Sequence, residues 1–276
     1  MKFASSGVSF IVGLLLVTLA TSYAEEITTS DGKVYSSTSF RRVGSSIMIK
    51  VTTDNGGLIE VGLPISRITK IAFAEPPELA AAKAAAATGN ANAVLSLTES
   101  YVSTQGDFKE VSGSWWLEMA KLRLFALAAT GKDAETAPLA SQIGSLSMDG
   151  NDMLLSGGTL FTPLSVGDTE AVLVGAKALP RIGSSQGAAL AQLALGRALL
   201  VKKDYVGALR AFLTIKVFYP ALVLLQPEAL YGAANAYVGL KDTKRALQTL
   251  QEIQKSFPET LQASEAKKLE SDISKP

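Results

Sequence analysis

The sequence predicts a mainly α-helical protein, a solenoid of helical hairpins preceded by a small antiparallel β-barrel domain. Alanine marks the division, with two alanines in residues 25–75 and 34 in residues 76–276. The first stretch alternates apolar and polar residues between Gly-containing turns, which is the period of a half-buried strand. The second stretch contains a pattern that recurs after 38 residues, and such recurrence is typical of stacked helical repeats.

Composition excludes several kinds of chemistry. The 276-residue chain has 26 basic and 25 acidic residues, and it has neither histidine nor cysteine. Imidazole general bases, thiolate nucleophiles, disulfides and Cys/His zinc sites are therefore excluded. A net charge near zero also argues against nucleic acid or a polybasic membrane surface as the partner. We expect no cofactor and no metal site.

Residues 1–24 have the pattern of a secretory signal peptide. Lys2 precedes an apolar run over residues 7–20, and Ser22 and Ala24 stand at the −3 and −1 positions of the cleavage site. The run of 14 residues is short for a bilayer core of about 30 Å. The alternative is an uncleaved N-terminal anchor, and a lipoprotein is excluded because its cysteine is missing. We therefore predict a periplasmic or secreted protein without an integral membrane segment after cleavage.

Residues 25–75 predict four or five short strands. Asp31-Gly32 and Asn55-Gly56-Gly57 supply turns, Ile47, Ile49 and Val51 alternate with polar or flexible residues, and Ile59, Val61 and Leu63 repeat this pattern. A single helical turn at residues 65–68 precedes a last strand near residues 70–73. The plan is similar to that of small Sm-like or SH3-like barrels in topology only. We expect a structural or docking module, rather than an RNA-binding one, that packs on the segment after it.

Helices follow the prolines at the boundary, since Pro77 is well placed to open one. Residues 76–183 predict degenerate hairpins, with helices at 77–88 and 91–101, at 114–130 and 134–143, and at 169–179. Residues 148–162 are left undecided. Residues 184–276 predict two clearer repeats and a capping helix over 260–273.

The repeat emerges when Pro220 is aligned with Pro258. Each unit has two amphipathic helices, a tight Lys-Asp turn between them and an aromatic-Pro pair after the second. The paired positions are Gly196 and Ala234, Lys203-Asp204 and Lys241-Asp242, Ala208 and Ala246, Phe212 and Leu250, Ile215 and Ile253, and Tyr219-Pro220 and Phe257-Pro258. Alanine recurs where the two helices of a hairpin cross, and proline ends the second helix.

These positions resemble the tetratricopeptide repeat, a helix–turn–helix unit of 34 residues, over residues 189–222 and 227–260. The longer spacing is similar to that in outer-membrane assembly lipoproteins and in the Tol-Pal-associated periplasmic coordinator. The resemblance implies a groove lined by the first helix of each repeat. By alignment, its lining residues are Leu190, Leu193, Arg197, Leu200 and Val201, then Glu228, Tyr231, Asn235, Val238 and Gly239.

From this groove we select Arg197, Glu228, Tyr231 and Asn235 as candidate partner-binding residues. The groove is mixed and rather apolar, which suits a helix or an extended segment. The rival interpretation is that a neighbouring helix or subunit covers its apolar members, and the sequence leaves the two open.

Other candidates favour structural roles. Trp115-Trp116 is a packing pair in preference to a glycan platform, because adjacent helical residues diverge by about 100°. Asp149-Gly150-Asn151-Asp152 lacks EF-hand spacing and predicts a solvated turn. Gly56-Gly57 and Gly157-Gly158 are interpreted as turns. Glu118 and Glu228 are the carboxylates that an oxygen-based hydrolase could use, but nothing in the sequence pairs them.

Two hypotheses follow. The first is an exported, non-enzymatic protein–protein interaction scaffold of the bacterial cell envelope that binds a partner segment in the helical-repeat groove. The alternative is a carboxylate-dependent enzyme or binder that acts on cell-wall glycans. The first is favoured because the usual catalytic residue types are missing. Self-association is left open.

Overall fold

The computed structural model describes residues 25–37, 40–53, 55–111, 113–146, 153–179 and 186–275. The predicted signal peptide and the Asp149–Asp152 cluster lie outside these residues. Among the described residues, no helix has both the length and the apolar character needed to cross a membrane.

In the described part of residues 25–75, six strands form two antiparallel three-stranded sheets with orders β2-β1-β6 and β3-β4-β5. The strands are β1 (Glu25–Thr29), β2 (Val34–Ser37), β3 (Phe40–Val43), β4 (Ser46–Thr52), β5 (Leu58–Pro64) and β6 (Ile68–Ala72). A 3₁₀ turn at Ile65–Arg67 connects the last two. The small antiparallel sheets are confirmed, whereas their closure into one barrel is not, since the described strands pair as two separate sheets.

The β domain buries the alternating residues of its strands. Ile27, Ile47 and Ile49 are fully buried, whereas Ile59 is 50% exposed. Ile59 lies opposite Val51, one pair from the turn that closes the β4–β5 hairpin, and it does not belong to the core of the β domain. The expected inward pattern therefore holds in β4 and at Leu63 but fails at the start of β5.

The helical region completes the core of the β domain. Phe108, in a 3₁₀ turn over Gly106–Phe108, is buried among the isoleucines of the strands. Its ring packs edge-to-face against Phe73 with centroids 5.5 Å apart. Arg42 Nη1 donates to the carbonyl oxygen of Asp107 at 3.1 Å. The β domain thus docks on the segment that follows it, as expected for a domain with so small a core.

Helices occupy most of the remaining chain. They are α1 (Pro77–Ala87), α2 (Ala91–Thr104), α3 (Trp116–Ala129), α4 (Asp133–Gly144), α5 (Met153–Thr159), α6 (Phe161–Ser165), α7 (Thr169–Ala178), α8 (Gln186–Val201), α9 (Tyr205–Phe218), α10 (Gln226–Gly239), α11 (Thr243–Ser256) and α12 (Leu261–Ile273). The predicted hairpins correspond to α1–α2, α3–α4, α8–α9 and α10–α11, and the capping helix corresponds to α12. Pro77 is the first residue of α1.

The two aligned repeats agree in backbone detail. Lys203 and Lys241 have φ values of 60° and 59°, so both turns place a lysine in the left-handed region. The next residue caps the second helix: Asp204 accepts from the Gly207 amide and Asp242 from the Arg245 amide. Such N-caps satisfy a backbone donor that the helix leaves unpaired. The alignment therefore reflects the same local structure twice.

Side-chain size varies in step between the repeats. A Cβ added at Gly196 or Gly232 would lie within 2.8 Å of the Phe212 ring, so this phenylalanine requires glycine on both facing helices. In the second repeat Leu250 takes the place of Phe212 and Ala234 takes the place of Gly196. A smaller second-helix residue leaves room for the alanine methyl group.

The described part of the undecided segment, from residue 153 onward, forms the short helix α5 and leads into the short helix α6, and both lie between α4 and α8. Gly157-Gly158 is part of α5, so its interpretation as a turn was wrong. A Cβ at Gly157 would lie 1.9 Å from the carbonyl oxygen of Gly187, and one at Gly158 would lie 2.3 Å from Ala140 Cβ. The pair is small because α5 packs closely against α4 and α8.

The stack curls so that its early hairpins meet its end. A Cβ at Gly89, in the α1–α2 turn, would lie 3.1 Å from both Phe257 Cδ1 and Pro227 Cγ. The side-chain nitrogen of Gln262 in α12 donates to the carbonyl oxygen of Ala129 in α3 at 2.9 Å, across 133 residues of chain. The last helix is therefore fixed directly to the end of the third.

Candidate functional site

Arg197 lies at the point where the stack closes. It projects from α8 and meets two acidic residues: Nη1 lies 2.8 Å from Asp133 Oδ1, and Nη2 lies 2.9 Å from Glu228 Oε1. Its Nε donates to the same Glu228 oxygen at 3.1 Å. Nη2 also donates to the Ala128 carbonyl oxygen, at the C-terminal end of α3, at 2.7 Å. One guanidinium thus joins α3, α4, α8 and α10.

Glu228 extends this network to the last helix. Its Oε2 accepts from Gln262 Nε2 at 3.0 Å, and the same amide group donates to the Ala129 carbonyl oxygen. The side chains of Arg197, Asp133 and Glu228 are only 14%, 18% and 18% exposed. Since these charges are largely removed from water, their pairing matters more than that of a surface salt bridge.

A cleft of about 220 Å³ opens beside the network. It is lined by Thr130, Gly131, Asp133, Arg197, Glu228, Tyr231, Leu261, Gln262 and Glu265. Three carboxyl groups and one guanidinium therefore face the same small space.

The electrostatics of the cleft follow from burial and from this excess of acids. Burial raises the pKa of the Asp133 carboxyl, Arg197 opposes the rise and Glu228 adds to it. Burial also raises the pKa of Glu265, and the nearby Glu228 charge adds to that effect. The pKa of the Tyr231 hydroxyl is raised by burial and by Glu265. The cleft is thus suited to hold a positively charged group of modest size.

The four candidate residues lie together at this place. Arg197, Glu228 and Tyr231 line the cleft, and Asn235 Nδ2 donates to the Tyr231 carbonyl oxygen one turn earlier in α10 at 2.9 Å. Arg197 and Glu228 bind mainly to each other and to neighbouring helices. Tyr231 and Asn235 are half-buried and keep accessible surface.

Some of the apolar positions predicted to line the groove are buried and others are exposed. Leu190 and Leu193 are fully buried in the main core, so neighbouring helices cover them, as the rival interpretation proposed. Val201 is exposed.

Asp133, Gln262 and Glu265 were not predicted as site residues. The Lys132-Asp133 turn resembled the other Lys-Asp turns, but no pattern in α12 indicated that Gln262 reaches α3.

The tryptophan pair packs. Trp116 is 1% exposed, and its Nε1 donates to the Val102 carbonyl oxygen at 2.9 Å. Trp115 Nε1 donates to the Phe73 carbonyl oxygen at 3.2 Å, which ties α3 to the β domain. Glu118 forms a salt bridge with Lys83 at 2.7 Å. A glycan platform on Trp116 is therefore ruled out, because its ring is covered.

Comparison with known families agrees with this architecture. Residues 228–260 match the family model described as tetratricopeptide repeat. No curated protein matches the chain. The matched range covers most of α10 and all of α11, together with Pro258 after them. This hairpin is a tetratricopeptide-type repeat, the kind of unit that suggests a protein–protein interaction scaffold.

Proposed function

We propose that the protein is a non-enzymatic interaction scaffold exported to the bacterial cell envelope, where it binds a protein partner. The observation that carries this proposal is the stack of helical hairpins, one of which matches the tetratricopeptide repeat. Stacks of this kind work by presenting extended surfaces to other proteins.

The state of the candidate carboxylates supports a non-enzymatic role. Glu228 is bound by Arg197 and Gln262, and Glu118 is bound by Lys83. A carboxylate held by a guanidinium and an amide is poorly placed to exchange a proton with a substrate. Both residues act as structural links between helices.

Export rests on the pattern of residues 1–24. If these residues are a cleaved signal peptide, the mature protein begins at Glu25, the first residue of β1. N-terminal sequencing of the protein from fractionated source cells tests this. A mature start at Glu25 in the periplasmic or secreted fraction is expected, and an intact N-terminus in the cytoplasmic fraction would contradict it.

The proposed contact surface is the rim of the cleft at Tyr231 and Asn235. A volume of about 220 Å³ holds one side chain or a very short segment, so the cleft acts as an anchor point for a partner that extends beyond it. The acidic lining favours a lysine or arginine of the partner there.

Affinity capture with the full chain from an envelope extract tests the scaffold and this surface. The wild type is expected to retain a protein that the double variant Tyr231→Phe/Asn235→Ala loses. Gln248→Ala, an exposed change in α11, is the matched control and should retain it. No retained protein at all contradicts the scaffold, and equal retention by the double variant contradicts the rim as the contact.

A further inference from the structure

A second and larger concavity lies between α7 and α9, with α8 as its floor. Its volume is about 500 Å³. Leu173 and Lys177 line it from α7, Leu195 and Leu199 from α8, and Arg210 and Phe218 from α9. We call it the α7–α9 groove.

The α7–α9 groove lies on the opposite side of α8 from the cleft. Residues two apart on a helix project about 160° from each other, since each residue turns the helix by about 100°. Leu195 and Leu199 stand two residues to either side of Arg197, which faces the cleft. The groove is therefore a separate surface from the one to which the four candidate residues belong.

One face of α9 is unusual for an exposed helix. Val206, Arg210, Thr214 and Phe218 recur every four residues and so share a face. Val206 is 56% and Phe218 52% exposed. At the matching positions 38 residues later, α11 has Lys244, Gln248, Glu252 and Ser256. The repeat itself therefore does not require apolar residues on this face.

Charge pairing also differs between the two repeats. Between α9 and α11, Lys216 Nζ lies 2.7 Å from Glu252 Oε2. In α9 the position of Glu252 is taken by Thr214, which lines the α7–α9 groove. Lys177 and Arg210 form no salt bridge with any described residue, and no described carboxylate lines the groove. Two cations therefore flank a floor that is apolar at Leu195 and Leu199 and also includes Gln192, and neither cation has an acidic partner among the described residues.

We propose that the α7–α9 groove binds an acidic amphipathic helix of a protein partner, an inference that rests on the proposed scaffold function. The groove lining on α9 runs from Gly207 to Phe218, a rise of about 16 Å at 1.5 Å per residue. It matches about three turns of a bound helix. Apolar residues at helical spacing contact Leu195, Leu199 and Phe218, and Asp or Glu side chains on the flanks meet Lys177 and Arg210.

A helix fits this groove better than an extended strand. The walls are themselves helices, whose backbone amides and carbonyls are bonded internally along their length. An extended peptide would find no ladder partners there and would have to leave its own polar backbone groups unpaired. A helix satisfies its own backbone and packs by side chains alone, as α9 and α11 do with α10.

Site-specific photocrosslinking in the full-length protein tests the groove. p-Benzoylphenylalanine replaces Phe218, an aromatic exchange at a half-exposed position, and a second protein carries it at Asn235 beside the cleft. After irradiation in an envelope extract, mass spectrometry identifies the attached segment. We expect the Phe218 position to capture an acidic segment with helical apolar spacing. A third protein carries the probe at Ser256, the position in α11 that matches Phe218. It is the control and should not capture this acidic segment.

Reversing the charges of the two groove cations provides a second test of the proposal. Lys177→Glu/Arg210→Glu should lower the crosslink yield from the Phe218 position by at least about tenfold, because two attractions become repulsions. Gln248→Glu, at the position in α11 that matches Arg210, should leave the yield unchanged. Raised salt should weaken capture by the wild type.

The outcomes separate this inference from the scaffold proposal. A protein captured at Asn235 but not at Phe218 overturns the groove and leaves the scaffold standing. Attachment to a lipid, to a second copy of this chain or to a basic segment at Phe218 also overturns the groove. No protein captured at either position overturns both. An acidic helical segment that is lost on charge reversal supports the groove.

Discussion

Replacing Arg197 by methionine should destabilise the protein substantially. The change removes the guanidinium that binds Asp133, Glu228 and the Ala128 carbonyl oxygen, and it keeps an unbranched apolar side chain of similar length. Breaking a buried ion pair by removing one partner costs about 3–5 kcal/mol. Both carboxylates keep 18% exposure, so we expect the lower end, about 3 kcal/mol. For a chain of this size that lowers Tm by about 6–12 °C.

The deficit should depend on pH. Burial already raises the pKa of Asp133, and Arg197 opposes that rise, so the pKa in the variant lies higher still. A carboxyl whose pKa is raised on folding contributes stability below its unfolded pKa, near 3.8, and this contribution is lost as pH rises through the folded value. Wild type and variant should therefore differ most at pH 7 and converge as the pH falls toward 4.

Urea unfolding of the full chain, followed by circular dichroism at pH 7 and pH 4.5, measures both effects. The control is the triple variant Asp133→Asn/Arg197→Met/Glu228→Gln, which removes the charges together and should recover most of the lost free energy of unfolding. A loss below about 1 kcal/mol for Arg197→Met, the range of an exposed pair, would refute the reasoning. So would a loss that stays the same at both pH values.

Three further predictions concern other parts of the fold, and the same unfolding assay measures the loss in free energy of unfolding for each. Gly89→Ala should lower the free energy of unfolding more than Gly131→Ala. Both glycines have positive φ, which costs a residue with a Cβ about 1–2 kcal/mol, but only Gly89 has Phe257 within reach of the new methyl group. Equal losses would contradict contact between the first hairpin and the last repeat. Asp204→Ala should cost about 1 kcal/mol through loss of the α9 N-cap, and no loss would mean that water replaces the cap. Phe108→Ala should lower the free energy of unfolding by about 3–5 kcal/mol. It should also release the β domain from the helices, which limited proteolysis would show as early cleavage within that domain.

Local patterns predicted most helices, because the signals for them are local. Pro77 opens α1, the Lys-Asp turns fall between α8 and α9 and between α10 and α11, and proline follows each second helix. Each of these features acts through backbone conformation or capping within a few residues. That is why the hairpins were placed closely even where the repeat is degenerate.

The cleft could not be predicted from local patterns, because it is formed by contacts between residues far apart in the sequence. Arg197 was selected as a groove residue, but its partner Asp133 lies 64 residues earlier and Glu228 lies 31 residues later. The sequence does not indicate how far the stack curls. The same charged and polar residues are therefore expected whether they form an internal network or line an open groove. Gly157-Gly158 failed for a similar reason, since glycine suits a turn as well as a close helix crossing.

The bond from Gln262 to Ala129 changes how the whole molecule should unfold. An open solenoid resembles a row of units that interact only with nearest neighbours, so its ends fray independently of its middle. Here the final unit is attached to an early one, and the row becomes a loop of coupled units. Loss of α12 should therefore loosen the α3–α4 turn as well as its neighbour α11. Stability in such a loop belongs to the closed stack as a whole, which gives a repeat protein the all-or-none behaviour of a globular domain.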